Sequence, residues 1–506
     1  MAYNVNEDVA VLRRSFREGK TRSREWRLGQ LEAFKRMMTE GLQKFSKALW
    51  DDLHKSAAES YFTEINVVEH EIQHMINNLD VYMAPKKVGT DVMNVPGWSY
   101  IYKDPLGVVA VIGAWNYPVH LTLACLAGAI AAGNCALVKV PSSKYSTQAS
   151  RVMEELAAQY LDRDCIRFVG GDRNETQAVL GERFDLIFFT GGAFVGKMVA
   201  EAAAKNLTPT VLELGGKSPC IVDKTADLRV AALRITWATF LNSGQTCLRP
   251  DYLLVHEDVA EALYAELERA KEEMYSKDPK QTEFFGRVIN ERAHKRLSAL
   301  IDSCRPDIRF GGETDASQKY VAPTLVDYGT DEARFAASEV MQDEIFGPIL
   351  PALKYKSLDQ VIDFVSGREK PLALYFFTTD AAARERVLRE TTSGVCNIND
   401  CMMNMTNPEL PFGGVGRSGM GSYHGEASFL TFSHKKSVLV KTNWLDVPLR
   451  YPPYTPNSVR ALSMIATARP RWQALTLKFG GVALLCYVLI KLPIFQLVTD
   501  IMQARL

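Results

Sequence analysis

Apolar residues recur every three to four positions early in the chain: Leu31, Phe34, Met38, Leu42, Phe45 and Leu49, then Val68, Ile72, Met75 and Leu79. That period predicts amphipathic helices. Residues 85–96 break it at two prolines, and 98–102 reads as a strand. A different pattern follows. Short apolar runs at 107–112, 135–139 and 185–189 read as buried strands, and helical segments at 120–132, 147–161 and 191–205 alternate with them. Buried strands, helices and glycine turns in this order predict a doubly wound, Rossmann-like α/β domain. A second alternating stretch after Glu213, with strands at 251–255 and 372–378, predicts a second α/β domain. Residues 438–441 read as a late strand. A proline- and tyrosine-rich stretch from Trp444 to Pro456 reads as a linker.

The C-terminus departs from this pattern. Residues 479–490 (FGGVALLCYVLI) form an uncharged, largely apolar run of 12. Twelve helical residues reach about 18 Å, short of a hydrocarbon core of about 30 Å. Counting on through Val498 gives 20 positions, enough to span if Lys491 snorkels to the interface. Arg469, Arg471 and Lys478 would hold the segment at a headgroup surface. A membrane anchor is the expectation. An interfacial helix, or one packed on protein, is the alternative.

Composition narrows the reading less. The 506 residues are 47% hydrophobic and 23% charged, and the net charge is zero, so no nucleic-acid partner is expected. Arg13, Arg14, Arg17, Lys20, Arg22, Arg24 and Arg27 cluster, which reads as a solvated helical face. Nine cysteines without disulfide or zinc spacing fit a reducing compartment. No apolar run opens the chain, so no secretory signal is expected, and the sequons at Asn174, Asn206 and Asn404 read as chance matches.

Candidate chemistry lies in five short motifs. Cys247 closes Asn242-Ser243-Gly244-Gln245-Thr246-Cys247, a polar, small-residue segment in which a thiol can meet a substrate and its own N–H can face a bound oxygen. Glu213, 34 positions earlier in Leu212-Glu213-Leu214-Gly215-Gly216-Lys217, sits between apolar neighbours that would raise its pKa toward that of a neutral-pH base. Its plainer reading is an ion pair with Lys217 or Lys139. Asn116 in Trp115-Asn116-Tyr117-Pro118 ends a predicted strand and can donate to an oxyanion, or simply cap the next helix. Gly191, Gly192 and Gly196 form a turn that opens a helix and can cradle phosphate. Glu344-Ile345-Phe346-Gly347-Pro348 offers a carboxylate for ribose hydroxyls beside an aromatic ring. His70-Glu71-Ile72-Gln73-His74 matches a zinc pattern, but Ile72 belongs to the apolar stripe and no third ligand follows, so no metal is expected.

Taken together, WNYP, LELGGKSP, the GQTC cysteine, EIFGP and LPFGGVGRSGMG make the chain resemble the aldehyde dehydrogenase superfamily over about residues 10–445. The segment 422–434 and Arg450-Tyr451-Pro452-Pro453 before an apolar tail resemble class 3, the branch with fatty aldehyde dehydrogenases. The resemblance implies Cys247 as nucleophile, Glu213 as general base, and Asn116 with the Cys247 amide as oxyanion hole. It implies Gly191, Gly192 and Gly196 at the pyrophosphate, Lys139 at the adenosine ribose, and Glu344 with Phe346 near the nicotinamide ribose. NAD is the implied cofactor. Ser142 stands where many relatives carry a glutamate that would repel a 2′-phosphate, so NADP use beside NAD is expected. Asn404 stands where class 3 relatives often have histidine.

The resemblance further implies a cofactor domain at 1–84 and 106–212, a catalytic domain at 213–422, and a small β oligomerisation element at 85–105 and 423–445. A linker at 446–474 and a membrane-associated tail at 475–506 complete the division. A homodimer is implied, with its tail on the endoplasmic reticulum, or alternatively the mitochondrial outer membrane, and its catalytic domain facing the cytosol. The expected substrate is a long apolar aldehyde of the fatty type. Apocarotenoid (polyene) and aromatic aldehydes are the alternatives. Two other classes are disfavoured: an enzyme releasing its thioester to coenzyme A, which Glu213 argues against, and a non-catalytic protein, which the presence of both Glu213 and Cys247 argues against.

Overall fold

The first periodic segment forms a 30-residue helix, Arg24–Leu53. The Ser23 side chain caps it by accepting from the Trp26 amide, and His54 ends it in the left-handed region. Leu31, Phe34, Met38, Phe45 and Leu49 are all buried along one face. The second segment forms Asn66–Met83, entered through a π-helical turn at Tyr61–Ile65. The computed structural model describes residues 3–142, 144–446 and 450–467. The chain divides into two units, residues 1–83 with 104–434, and 84–103 with the chain after 434.

In the larger unit, a six-stranded sheet runs in the order Gly419–Met420, Thr210–Glu213, Leu186–Thr190, Val108–Ile112, Cys135–Lys139, Ile166–Val169. All neighbours are parallel except Gly419–Met420. The chain starts in the middle, builds outward through two strands, then returns to the other side. The order therefore reverses between Val108–Ile112 and Leu186–Thr190, where a crevice opens beyond the strand ends. Helix His120–Ala132 covers this sheet and is buried at all 13 positions, as a helix without a polar face must be.

The second sheet has seven strands in the order Ile308–Phe310, Thr324–Asp327, Ile349–Tyr355, Tyr252–His256, Pro219–Val222, Ala373–Phe377, Val395–Ile398. Only Ile308–Phe310 runs antiparallel. Its two faces belong to different cores. Leu253, Val255, Ala373 and Tyr375 join the cluster that includes the first sheet and the N-terminal helices. Leu254, Leu374 and Phe376 join a second cluster beneath. Alternate residues of one strand thus serve two cores, the expected consequence of a two-residue period.

In the smaller unit, Lys86–Val88, Gly97–Pro105 and Ser433–Lys441 form a three-stranded sheet. The structure differs from the sequence reading in two places. Helix Gly425–Thr431, assigned from sequence with the small sheet, lies in the larger unit, because Phe429 and Phe432 are buried in its core. Pro456–Thr467, inside the expected linker, is helical. Proline is tolerated in a first helical turn, and Thr455 and Ser458 cap each other, each backbone amide donating to the other's hydroxyl. No helix among the described residues is long and apolar enough to cross a membrane. The expected tail at 475–506 lies outside the described residues.

Candidate active site

A cavity of about 1050 Å³ opens at the carboxyl ends of the first sheet and reaches Cys247. Asn116, Lys139, Ser142, Gly191, Gly192, Glu213, Cys247, Glu344 and Phe346 all line it. Of the sequence candidates, Gly196 does not. It faces Leu214, and a Cβ there would clash with the leucine, so its smallness lets helix Ala193–Ala204 approach the strand before it.

Glu213 ends its strand opposite Thr190, and its carbonyl accepts from the Gly191 amide at 3.0 Å. Turn and carboxylate are therefore built on adjacent strand ends. The Glu213 side chain is buried, and neither carboxylate oxygen has a hydrogen-bond partner among the described residues. Burial pushes its pKa well above the usual carboxylate range. The ion-pair reading fails, because Lys217 pairs with Asp251 at 2.5 Å. Lys139 donates instead to the Val140 and Gly171 carbonyls, and burial lowers its amine to about 8.

The cysteine loop follows helix Leu228–Phe240 and turns through Asn242 and Ser243, both at φ +53. Such backbone is strained for non-glycine residues and persists only when neighbours enforce it. Here they do. Gln245 donates to the Asn242 and Arg287 carbonyls and accepts from the Ile289 amide. The Asn242 amide donates to the carbonyls of Asn116 and Gln245. Gly244 adopts φ +71 against Gly347, where any Cβ would collide with backbone. Cys247 is half-buried, and burial together with the Glu344 and Glu213 charges pushes its thiol well up. The Cys247 and Leu248 amides face the sulfur and oppose that rise.

Asn116 donates one amide hydrogen to the Gln245 carbonyl at 3.0 Å, which leaves the second for the cavity. Its own carbonyl is fixed by Lys55 at 2.9 Å. Lys55 is fully buried, pairs with Glu64 at 2.5 Å and lies 3.8 Å over the Tyr117 ring. Glu64 in turn accepts from the Val119 and His120 amides. Sequence reasoning missed this pair, whose Lys55 lies 61 positions from Asn116 and which carries no local signature. Lys55→Met is expected to cost about 3–5 kcal/mol by leaving Glu64 buried without a counter-ion. Chemical denaturation measures this, and a loss below about 1 kcal/mol would refute the coupling.

Glu344 completes the rim. The Gly216 amide donates to it, and burial raises its pKa to about 8. A Cβ at Gly215 would occupy the Glu344 carboxylate position and displace that side chain. Phe346, held at φ +47, packs edge-on to Trp115 at 5.4 Å. Asn404 exchanges hydrogen bonds with Asn397, fixing the loop that carries Met402, Met403 and Met405. Ser142 donates to the Asp172 carboxylate at 2.6 Å. That carboxylate comes from another loop. The zinc-like motif is structural. His74 bonds the Tyr82 hydroxyl, and Glu71 accepts from the Gly425 amide and the Ser428 hydroxyl.

The cavity suits a dinucleotide. Helix Ala193–Ala204 starts at Gly192 without a side-chain cap, and nothing lies near where a Gly192 Cβ would stand. Unsatisfied helix amides attract phosphate. Thr190 Oγ1 and Glu344 Oε1 are buried in the same space without partners among the described residues. A family model, the aldehyde dehydrogenase family, matches residues 2–438. The chain belongs to the aldehyde dehydrogenase family. It is 43% identical to mouse aldehyde dehydrogenase family 3 member B1 over 91% of this chain and 97% of the relative. It is 44% identical to the rat aldehyde dehydrogenase described as dimeric and NADP-preferring, over 89% and 98%. The substrate-bound structure of Staphylococcus aureus AldH superposes with a TM-score of 0.88 at 39% identity, covering 92% of this chain and all of that one. This aldehyde dehydrogenase is accordingly an NAD(P)-dependent oxidoreductase acting on aldehydes.

Proposed function

We propose that the enzyme oxidises long-chain apolar aldehydes, fatty aldehydes first, to carboxylic acids. The observation that carries this reading is the apolar wall of the Cys247 cavity. Phe62, Val67, Leu121, Trp237, Leu241 and Met405 line it, and an alkyl chain is the ligand such a wall stabilises by desolvation.

In this mechanism the Cys247 thiol gives up its proton to solvent and its sulfur adds to the carbonyl carbon. The oxyanion of the thiohemiacetal takes hydrogen bonds from the free Asn116 amide hydrogen and the Cys247 N–H. When bound, NAD(P)+ supplies the hydride acceptor that converts this adduct to a thioester on Cys247. Gly191 and Gly192 would hold its pyrophosphate, Lys139 and Ser142 the adenosine ribose, and Glu344 with Phe346 the nicotinamide ribose. Glu213 then takes a proton from water as the water oxygen attacks the thioester. The acid departs and the Cys247 sulfur is released. Glu213 has no hydrogen bond to break first.

The enzyme works as a homodimer through the small sheet. Ser433–Lys441 is an edge strand, and Leu439, Val440, Trp98 and Tyr102 stand exposed. An edge with exposed apolar residues invites pairing. The apolar run at 479–490 anchors the protein to a membrane, where long aldehydes partition.

An aldehyde series tests the substrate class. kcat/KM should climb about threefold per methylene until the cavity is filled. A fall with chain length, or a preference for aromatic or polyene aldehydes, would reverse the assignment. Removing residues 457–506 should free the protein from vesicles and spare soluble short aldehydes. A truncated protein that still pellets would exclude the anchor.

A further inference from the structure

The strained turn that opens the cysteine loop is gripped from outside the loop. Asn242, at φ +53, donates its backbone amide to Glu59 Oε1 at 3.0 Å, across 183 positions of sequence. Its side-chain amide donates to the Asn116 carbonyl at 2.8 Å and to the Gln245 carbonyl at 3.2 Å. The Gln245 carbonyl also accepts from the Asn116 side chain. Asn242 is therefore the joint between the two groups assigned to the oxyanion, and Glu59 holds the backbone of that joint.

Glu59 is itself fixed. It lies in the short helix Ala57–Ser60, where its amide donates to Ser56 Oγ at 3.2 Å and its carbonyl accepts from the Thr63 hydroxyl at 2.8 Å. Four ionisable side chains act with it: Lys55, Glu64, Tyr117 beside Asn116, and Tyr275 at the end of helix Ala260–Tyr275. Both tyrosines are held above their ordinary range by burial and stay neutral. Burial lifts the Glu59 carboxyl to about 7, while Lys55 and the Asn242 amide pull it down and Glu64 pushes it up. A hydrogen bond that lowers a carboxyl pKa is stronger to the ionised form. By linkage, ionised Glu59 favours the Asn242 turn that makes the bond. A charged acceptor holds an amide about twice as strongly as a neutral one.

We infer that Glu59 is a positioning residue for the oxyanion hole, its charge holding Asn242 in the turn that aligns the Asn116 amide with the Cys247 N–H. The inference rests on the assignment of those two groups to the oxyanion. Addition to the aldehyde then gains with pH as Glu59 ionises, over and above what Cys247 and Glu213 contribute.

Single-turnover reduction of NAD by hexanal tests this, with the full-length enzyme in excess and the rate still proportional to its concentration. Glu59→Gln keeps an acceptor oxygen and removes the charge. It should match wild type near pH 6 and fall about tenfold below it near pH 8.5, the gap between a charged and a neutral hydrogen bond. The ratio of the two rates cancels the titrations of Cys247 and Glu213, which both enzymes share. Glu59→Asp keeps the charge and should keep a rise with pH that glutamine loses. NADH should bind both variants as it binds wild type. A wild-type to glutamine ratio that is flat with pH would overturn the inference, because a packing role lowers the rate at every pH. So would an aspartate variant that follows glutamine throughout. An Asn116→Ala enzyme that adds aldehyde as fast as wild type would overturn the oxyanion assignment itself.

Discussion

Cys247→Ala is expected to abolish aldehyde oxidation, by a factor on the order of 10⁴ or more, while NADH still binds. The size follows from chemistry: without sulfur there is no adduct from which hydride can leave and no thioester for water to cleave. The structure adds a second, pH-dependent expectation. Burial and the neighbouring Glu344 and Glu213 charges hold the Cys247 thiol well above its ordinary pKa. In the nucleotide-free protein, alkylation of Cys247 by iodoacetamide should therefore run slower than that of a free thiol at pH 7.5. It should go on rising with pH beyond the point where a free thiol levels off. Peptide mapping of the alkylated protein reads both. Residual oxidation in the alanine variant, or fast alkylation that is flat above pH 7, would contradict the assignment.

Much of this site is legible in the sequence, because each motif is local. Glu213 before a double glycine, Cys247 in a small polar segment, and Asn116 at a strand end all line one cavity. What escaped notice is held by distant partners. Lys55 and Glu64 lie among ordinary helical residues, and only the fold brings them behind Asn116. Asp172 is 30 positions from Ser142, so the hydrogen bond between them could not be read from position 142 alone.

The strands show the same division. Continuous apolar runs such as residues 135–139 declare themselves as buried strands. Ile166–Val169 does not, since Arg167 interrupts it at the sheet edge. Ile349–Tyr355 contains Pro351, which argues against an interior strand, yet it lies between two parallel neighbours. The register accommodates it opposite Val326.

Glu213→Gln should separate the two halves of the reaction. Acylation proceeds, so one equivalent of reduced nucleotide appears in a burst. The steady-state rate then falls by about 10²–10⁴, the usual contribution of a positioned base. Intact-protein mass spectrometry should find the acyl group on Cys247. Burial favours the protonated form of Glu213, so the base-competent carboxylate grows as pH rises, and wild-type deacylation should climb with it. That climb should vanish in the glutamine variant. The same shift also separates a catalytic role from a structural one. An exposed glutamate in the unfolded chain ionises above its ordinary value of 4.5, while the folded protein retains the proton. The folded state then binds more protons, so the wild-type free energy of unfolding falls as pH rises from there. Glutamine carries no such penalty. The variant should match wild type near pH 4.5 and exceed it increasingly as pH rises from there, as read by denaturant midpoints. A variant that loses activity and stability together would point to a structural role for Glu213. One that keeps full steady-state turnover would hand the base to another residue.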